Sequence, residues 1–158
     1  MATALVIYYS RSGNTKQMAE FITQSMNDSG LETKCKSVEE VKIDDLSDVD
    51  AIVVGSPCYY GHMAGQITLF FDESVRKHGK LDGKVGAAFS SSANIGGGNE
   101  TTINSINYVM MIHGMIIQGD PQGDHFGPVS IGKPDERVEK QCIRKGQRIA
   151  QLTKKLFE

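Results

Sequence analysis

The chain has 158 residues, 39% hydrophobic and 23% charged, so it can bury a core as one domain spanning residues 1–158, and its composition excludes a disordered tail. Its 17 Lys and Arg against 19 Asp and Glu give a net charge of −2, which argues against nucleic-acid binding and a polybasic membrane anchor. The apolar run Ala4–Tyr9 falls far short of the roughly 20 residues of a membrane span. We therefore expect a cytoplasmic protein without a membrane span.

Three cysteines, Cys35, Cys58 and Cys142, are present without CxxC spacing. An odd number of cysteines in this arrangement is typical of reduced thiols. We therefore predict neither a disulfide framework nor a metal site.

The first third of the chain alternates strand and helix signals. The continuous apolar run Ala4–Tyr9 is typical of a strand buried on both faces. A helix that ends at Gly30 follows, and its buried positions are Met18, Ala19, Ile22 and Met26. Charges alternate along Leu31–Lys36, as in a half-exposed strand at a sheet edge. Ala51–Val54 is another buried strand, and it ends in Gly55-Ser56-Pro57.

The same alternation continues to the end of the chain. A helix closed by Gly79 is predicted from Ile67, Phe70, Phe71 and Val75, and a third helix ending at Gly114 from Ile103, Ile106, Val109 and Met110. Strands are predicted at Lys84–Phe89 and Met115–Ile117, followed by a loop from Gly119 to Gly132. Pro134 is expected at the first position of the last helix. This alternation predicts an α/β domain with a parallel sheet and helices on both faces.

Three polar loops that contain glycine follow the buried strands, at Ser10–Thr15, Ser56–Gly65 and Ser90–Gly98. Because the carboxyl ends of parallel strands lie at one edge of the sheet, we expect these loops to converge there. The sequence therefore predicts a binding crevice at that edge.

The loop Ser10–Thr15 predicts a phosphate site. It precedes a helix, whose first amides are unpaired and whose dipole is positive at that end. Its serines and threonine add hydroxyl donors, and Gly13 lets the backbone close around an anion. No Walker lysine and no GxGxxG fingerprint are present, so the loop suits a single terminal phosphate. The alternative is an ordinary helix start capped by Ser12 or Asn14.

The other two loops have groups that suit a flat heterocycle. Tyr59 or Tyr60 can stack on a ring or screen it from water, and packing of the loop onto the domain is the alternative for each. Cys58 is predicted to be a small, half-buried thiol rather than a nucleophile. Gly96-Gly97-Gly98 lets the backbone approach a ligand closely or leaves the loop mobile. His113 lies at a predicted helix end, where the residues alone indicate a structural role.

The chain resembles the flavodoxin-like superfamily, and within it the WrbA-type FMN-dependent NAD(P)H:quinone oxidoreductases. Ser-x-Ser-Gly-Asn-Thr at 10–15 is similar to the FMN phosphate loop of flavodoxins. The motifs that resemble the WrbA type are Gly55-Ser56-Pro57-x-Tyr59-Tyr60-Gly61-x-Met63-x-x-Gln66, Gly96-Gly97-Gly98-Asn99-Glu100-Thr101-Thr102 and His113-Gly114-Met115. The resemblance implies a flavodoxin-like three-layer sandwich with a five-stranded parallel sheet of order 2-1-3-4-5.

The resemblance also implies an FMN site and its residues. His113 is expected near the flavin ring, where substrate approaches. The expected FMN-binding residues are Ser10, Arg11, Ser12, Gly13, Asn14 and Thr15 for the phosphate, and Pro57, Cys58, Tyr59, Tyr60, Gly61, Ser91, Ser92, Ala93, Asn94, Ile95, Gly96 and Gly97 beside the ring. Tyr59 stands where the WrbA type often has a basic residue, and the chain lacks that family's insertions. The use of a nicotinamide and the formation of a homo-oligomer therefore stay open.

Two functions follow from the resemblance. In the first, NAD(P)H is the electron donor and a quinone or another small acceptor receives two electrons, so that the flavin does the redox chemistry. In the second, the protein is a flavodoxin-type carrier that passes electrons between redox protein partners.

The three loops contain no Asp or Glu, and Arg11 is their one fixed charge, although Asp120 and Asp124 lie in a later loop that could come near. Low-potential carriers are expected to surround the flavin with acidic groups, so this pattern favours two-electron chemistry. A third class, signalling domains that bind Mg²⁺ at the strand ends, needs acidic residues that are missing there.

Overall fold

The parallel sheet forms the middle layer of three in the computed structural model, which describes residues 1–158. Its strands are β1 (Thr3–Tyr8), β2 (Glu32–Ser37), β3 (Ala51–Pro57), β4 (Val85–Ser92), β5 (Ile116–Ile117) and β6 (Val129–Ile131). The helices are α1 (Asn14–Asp28), α2 (Gly65–Glu73), α3 (Asn99–Ile112) and α4 (Glu136–Phe157), with short 3-10 helices at Ile43–Ser47 and Ser74–Lys77. None of the helices is long and apolar enough to cross a lipid bilayer.

The order of the strands is β2-β1-β3-β4-β5, and every pairing is parallel. The predicted 2-1-3-4-5 order is therefore confirmed. β2 lies at an edge, where Glu32 and Lys34 are exposed and the ammonium of Lys36 lies 2.8 Å from the carboxylate of Asp45. The alternating charges thus identified the edge strand, because charge on an edge strand discourages pairing with another chain.

A sixth strand, β6, extends the predicted five-stranded sheet. It pairs with Ser90–Ser92 of β4, whose other edge is occupied by β3, so β5 and β6 share one strand position. Residues 118–128 interrupt that position. The expectation of an unbroken loop from Gly119 to Gly132 was wrong, because its last part is held by pairing with a distant strand.

Two hydrophobic cores lie on opposite faces of the sheet. Helices α1 and α4 cover one face, where Met18, Ile22 and Met26 are fully buried. Helices α2 and α3 cover the other, where Ile67 and Ile103 are fully buried. Each helix runs back from the carboxyl edge of the sheet to the edge where the strands begin, which fixes the loops before α1, α2 and α3 at the carboxyl edge.

Two helix boundaries differ from the expectation. Asp135, not Pro134, sets the start of α4: it is the N-cap residue, and its carboxylate accepts a hydrogen bond from the amide of Val138 at 2.9 Å. A capping carboxylate accepts a hydrogen bond from an unpaired amide, and its negative charge is stabilised by the positive end of the helix dipole. A proline side chain offers neither interaction. Val75 was expected on a buried helix face, but it lies in the short 3-10 helix after α2 and is exposed.

His113 lies away from the three loops. It follows the last residue of α3, and the carbonyl of the next residue, Gly114, accepts a hydrogen bond from the amide of Gly83, just before β4 begins. This position is at the edge of the sheet where the strands start. The expectation that His113 lies beside a ring bound by the loops is therefore wrong within one chain, because α3 carries it to the opposite edge.

His113 is buried in a contact with the Ser74 hydroxyl. Ser74 donates its proton to the carbonyl of Phe71 at 2.7 Å, so its oxygen accepts from Nε2 of His113 at 2.8 Å. Nδ1 of His113 is buried without a hydrogen-bond partner. Burial lowers the pKa of His113, and the neighbouring His78 lowers it further. Both effects favour the neutral ring.

We expect His113 to make folding stability depend on pH. Because its folded-state pKa is lowered, the unfolded chain takes up the proton more readily, so the stabilisation is complete above the ordinary pKa of about 6.5 and is lost as the pH falls below it. His113→Gln keeps an N–H donor for Ser74 but does not titrate. Urea unfolding between pH 8 and pH 5 should show a shallower loss of stability in this variant, and an unchanged slope would contradict the assignment.

Candidate functional site

Hydrogen bonds join the three loops at the carboxyl edge of the sheet. The hydroxyls of Thr15 and Ser91 share a hydrogen bond of 2.9 Å, which links the start of α1 to the end of β4. The backbone amide of Cys58 donates to the carbonyl of Ser91 at 2.8 Å, and its thiol donates to the carbonyl of Gly97 at 3.0 Å. The structure therefore brings the three loops together as expected.

The second and third loops also touch through bare backbone. Gly98 has φ +96°, and a Cβ placed on it would lie 2.6 Å from Cα of Gly61 and 3.1 Å from Sγ of Cys58. Neither the conformation nor the contact admits another residue without a shift of the backbone. Gly98 thus lets the third loop pack against the second, which holds one wall of the crevice in place, while the approach of the glycine run to a ligand stays a prediction.

The helix start at the first loop has no side-chain cap. Gly13 is the N-cap residue with φ +98°, and its own amide donates to Oγ of Ser10 at 3.0 Å. No side chain accepts from the first amides of α1, and those of Asn14 and Thr15 donate to no backbone carbonyl. The alternative of a helix capped by Ser12 or Asn14 is therefore wrong. An uncapped helix start leaves its donors available to an anion.

A crevice of about 440 Å³ lies between the loops, within the range of about 300–1,000 Å³ that small-molecule sites occupy. It is lined by Arg11, Ser12, Asn14, Thr15, Pro57, Cys58, Tyr59, Ser91, Ser92, Ala93 and Gly132. Ten of these eleven residues were predicted from the sequence and the resemblance. A larger open groove of about 560 Å³ lies between α2 and the connection after β2, but none of the three loops contributes to its lining.

The remaining predicted residues of the three loops do not line the crevice. The hydroxyl of Ser10 accepts a hydrogen bond from the amide of Gly13 and so closes the first loop. The turns of the second and third loops contain the other predicted residues, Gly61, Asn94, Gly96 and Gly97. Tyr60 and Ile95, at the tips of the second and third loops, are almost wholly exposed. Tyr60 is also the one non-glycine residue with positive φ, at +53°.

Gly132 lines the crevice although the sequence did not predict it there. Its amide donates to the carbonyl of Ser92 at 2.8 Å, directly after β6, and this bond places it against the crevice. The short run Val129–Ile131 after Pro128 was the available signal for a strand there. Three residues are too few to show the alternation that identifies a strand.

Arg11 is the one charged side chain that lines the crevice. Asp120 is buried and paired with Arg144 at 2.7 Å, and the guanidinium of Arg144 lowers the pKa of Asp120 to about 2. Asp124 pairs with Arg137 at 2.9 Å. Neither aspartate lines the crevice. No three His, Cys, Asp or Glu side chains lie close enough together to hold a metal ion.

Comparisons with known proteins agree with this geometry. The chain is 38% identical over 160 residues to a flavodoxin of Aquifex aeolicus strain VF5, covering 96% of this chain and 86% of that protein. It is 33% identical over 190 residues to an NAD(P)H dehydrogenase (quinone) of Archaeoglobus fulgidus, covering 99% of this chain and 100% of that one.

A solved structure has the same fold. The WrbA-like flavodoxin from Agrobacterium tumefaciens superposes with a TM-score of 0.86 at 22% identity, over 99% of both chains. The profile of the family described as "Flavodoxin domain" matches residues 5–108, which include all three loops and most of α3. With its parallel sheet order, its three joined loops and these matches, the chain belongs to the flavodoxin domain family.

Proposed function

We propose that this flavodoxin-like, FMN-binding redox protein is a two-electron NAD(P)H:quinone oxidoreductase. The observation that carries the proposal is the charge of the crevice, which is lined by one arginine and by no carboxylate. A relative 33% identical to the chain is an NAD(P)H dehydrogenase (quinone). The donor and acceptor proposed here follow from that similarity and from the crevice together.

The residues at the start of α1 fit the phosphate of FMN. The unpaired amides of Asn14 and Thr15 and the exposed hydroxyl of Ser12 are donors, and none of them carries a negative charge. The guanidinium of Arg11 adds a positive charge next to them. A phosphate at a helix start accepts hydrogen bonds from such amides and is stabilised by the dipole. The first loop would therefore hold the phosphate.

The two other walls fit the flat ring of the flavin. Pro57, Cys58 and Tyr59 line one side and Ser91, Ser92 and Ala93 another. The bonds from Cys58 to Ser91 and Gly97 fix the distance between the walls before any ligand binds. A preformed crevice loses less conformational freedom on binding, which favours affinity. Tyr60, Gly61 and the loop from Asn94 to Gly97 would border the ring at the rim.

Bound FMN supplies the redox chemistry, because its ring can accept two electrons from a nicotinamide and pass them to a quinone. The chain binds and orients the ring, and the half-buried Tyr59 screens one side of it from water. Arg11 stabilises negative charge that develops in the crevice, and no carboxylate opposes it. His113 lies at the opposite edge of the sheet, so it cannot exchange a proton with a ligand in the crevice of its own chain.

A flavodoxin-type electron carrier is the second candidate. Tyr60 and Ile95 favour it, because these two almost wholly exposed apolar side chains flank the crevice and a docked protein partner would cover them. The relative 38% identical to the chain is a flavodoxin. The charge of the crevice favours the enzyme over the carrier, because carriers of low potential surround the flavin with acidic groups.

Ser12→Asp tests the phosphate site. A carboxylate beside the start of α1 would repel the phosphate but would favour the helix dipole, so we expect FMN affinity to fall about 30-fold or more while the apoprotein stays as stable as the wild type or becomes more stable. Riboflavin, which lacks the phosphate, should bind both proteins alike. Quenching of flavin fluorescence gives both affinities, and Ser12→Asn is the neutral control. Equal losses for FMN and riboflavin would contradict the assignment.

Substitution of Arg11 tests the electrostatic argument. Arg11→Gln removes one charge and Arg11→Glu reverses it, so the midpoint potential of the bound flavin should fall in both, with a shift for Glu about twice that for Gln. A potentiometric titration of the FMN-loaded proteins measures the shift. Arg76→Gln, an exposed arginine in the 3-10 helix after α2, is the control. A midpoint potential of Arg11→Glu equal to that of Arg76→Gln would show that the charge of Arg11 does not act on the flavin.

Anaerobic mixing with NADH and with NADPH tests the enzyme directly. We expect the flavin absorbance of the FMN-loaded protein to bleach within seconds with at least one of the two donors, and a quinone added afterwards to restore it. Free FMN at the same concentration is the control. An absorbance that does not bleach, combined with two well-separated one-electron steps in a potentiometric titration, would favour the carrier.

A further inference from the structure

The second half of α4 is strongly cationic. Residues 143–157 contain five lysines and arginines and no carboxylate, although the whole chain has a net charge of −2. These cations are Arg144, Lys145, Arg148, Lys154 and Lys155. Lys154 turns towards α1, where its Nζ donates to the carbonyl of Ser29 at 3.1 Å. The other four lie beside residues 118–120, in the connection between β5 and β6.

Asp120 is the one carboxylate that pairs with these four cations. It accepts hydrogen bonds from Nε and Nη2 of Arg144 at 2.7 and 2.8 Å and from the amide of Gln122 at 2.9 Å. Nε of Arg148 lies 3.5 Å from the same carboxylate and is buried without a hydrogen-bond partner. One carboxylate therefore faces four positive charges, and most of that charge is not neutralised within the protein.

Lys145 contributes a buried ammonium to this cluster. Its side chain is 4% exposed, and its Nζ makes one hydrogen bond, to the carbonyl of Gln118 at 2.9 Å, although an ammonium has three N–H donors. Burial, with the nearby guanidinium of Arg148, lowers the pKa of Lys145 to about 8, although Asp120 opposes the shift. A buried cation with unused donors is costly unless an anion or water accepts from it.

A cavity of about 230 Å³ lies in front of Lys145. It is lined by Gln118, Arg148, Gln151, Leu152 and Lys155, so two cations and two side-chain amides border it and no carboxylate does. The ammonium of Lys155 and both side-chain amides make no hydrogen bond within the protein, so their donors are free. The volume is well above the share of about 30 Å³ that one water takes in the liquid, which leaves room for a tetrahedral oxyanion.

We propose that this cavity is a binding site for a doubly charged oxyanion, either phosphate itself or the phosphate group of a nucleotide. The guanidinium of Arg148 and the ammonium of Lys155 would donate to its oxygens, because a guanidinium matches phosphate geometry and an ammonium acts as a point charge. Lys145 adds positive charge from behind. The end of α4 opposes an anion with about half a negative charge, which is less than the excess of cations.

The oxyanion site is separate from the crevice. Gln118 follows β5, which pairs with Val85 and Gly86 at the start of β4, whereas the crevice lies where β4 ends. None of the residues that line the crevice lines this cavity. The proposal is therefore independent of the proposed function, and either can fail without the other.

Nuclear magnetic resonance of the FMN-loaded protein tests the site, with sulfate replacing chloride at constant ionic strength. We expect saturable shifts of the Gly119 amide and of the side-chain amides of Gln118 and Gln151. Lys155→Gln should weaken binding about threefold and Arg148→Gln about tenfold or more. Lys155 makes no contact that holds the fold, so this variant keeps the test valid if Arg148→Gln, which loses a bond to the carbonyl of Gly119, unfolds.

Lys140→Gln is the matched control. Lys140 is an exposed lysine of the same helix that pairs with Glu136 at 2.7 Å and does not line the cavity, so sulfate should bind this variant as it binds the wild type. Raising the pH from about 7 to about 10 should weaken sulfate binding, because Lys145 then loses its proton while sulfate keeps its charge.

Inorganic phosphate and AMP distinguish the two sources of the oxyanion, with adenosine as the control. AMP that binds about tenfold more tightly than phosphate assigns the site to a nucleotide, and equal binding assigns it to the free ion. Shifts that grow without saturation, or that occur at the start of α1 alone, overturn the proposal. So do Lys155→Gln and Arg148→Gln variants that bind sulfate like Lys140→Gln, or a sulfate affinity that does not change with pH.

Discussion

Unpaired backbone amides at the start of α1 are the feature on which the site depends. The end of β1 places them at the carboxyl edge of the sheet, and Gly13, with φ +98°, lets the chain turn into the helix without a side-chain cap. Without a side-chain cap these amides are left to water or to a ligand, and an anion bound there would also gain from the helix dipole. We propose that the phosphate of the ligand takes this place.

The rest of the crevice is arranged around this anchor. Thr15 bonds to Ser91, Ser91 accepts from Cys58, and Cys58 bonds to Gly97, so that one chain of contacts ties the three loops together. A ligand held by its phosphate would therefore meet walls of fixed separation. Arg11 carries the one charge in the lining of the crevice, and we propose that this favours two-electron reduction of the flavin, since a carrier of low potential would surround it with acidic groups.

Much of this could be predicted from the sequence, because parallel strands alternating with helices force the intervening loops to one edge. The alternating charges of Glu32 and Lys34 identified the edge strand, and ten of the residues that line the crevice followed from loop position and resemblance. β6 and Gly132 could not be predicted, since three residues show no periodicity and their place is set by pairing with β4. His113 was misplaced because α3 runs opposite to the strands, and its 14 residues carry the chain about 20 Å from the third loop.

The most direct test of the account is a crystal structure of the protein with riboflavin 5′-phosphate. We expect phosphate oxygens within about 3 Å of the amides of Asn14 and Thr15, with the ring between Tyr59 and the backbone of Ser91–Ala93. A ligand bound in the groove beside α2, or a phosphate directed into solvent while side chains close the crevice, would contradict it.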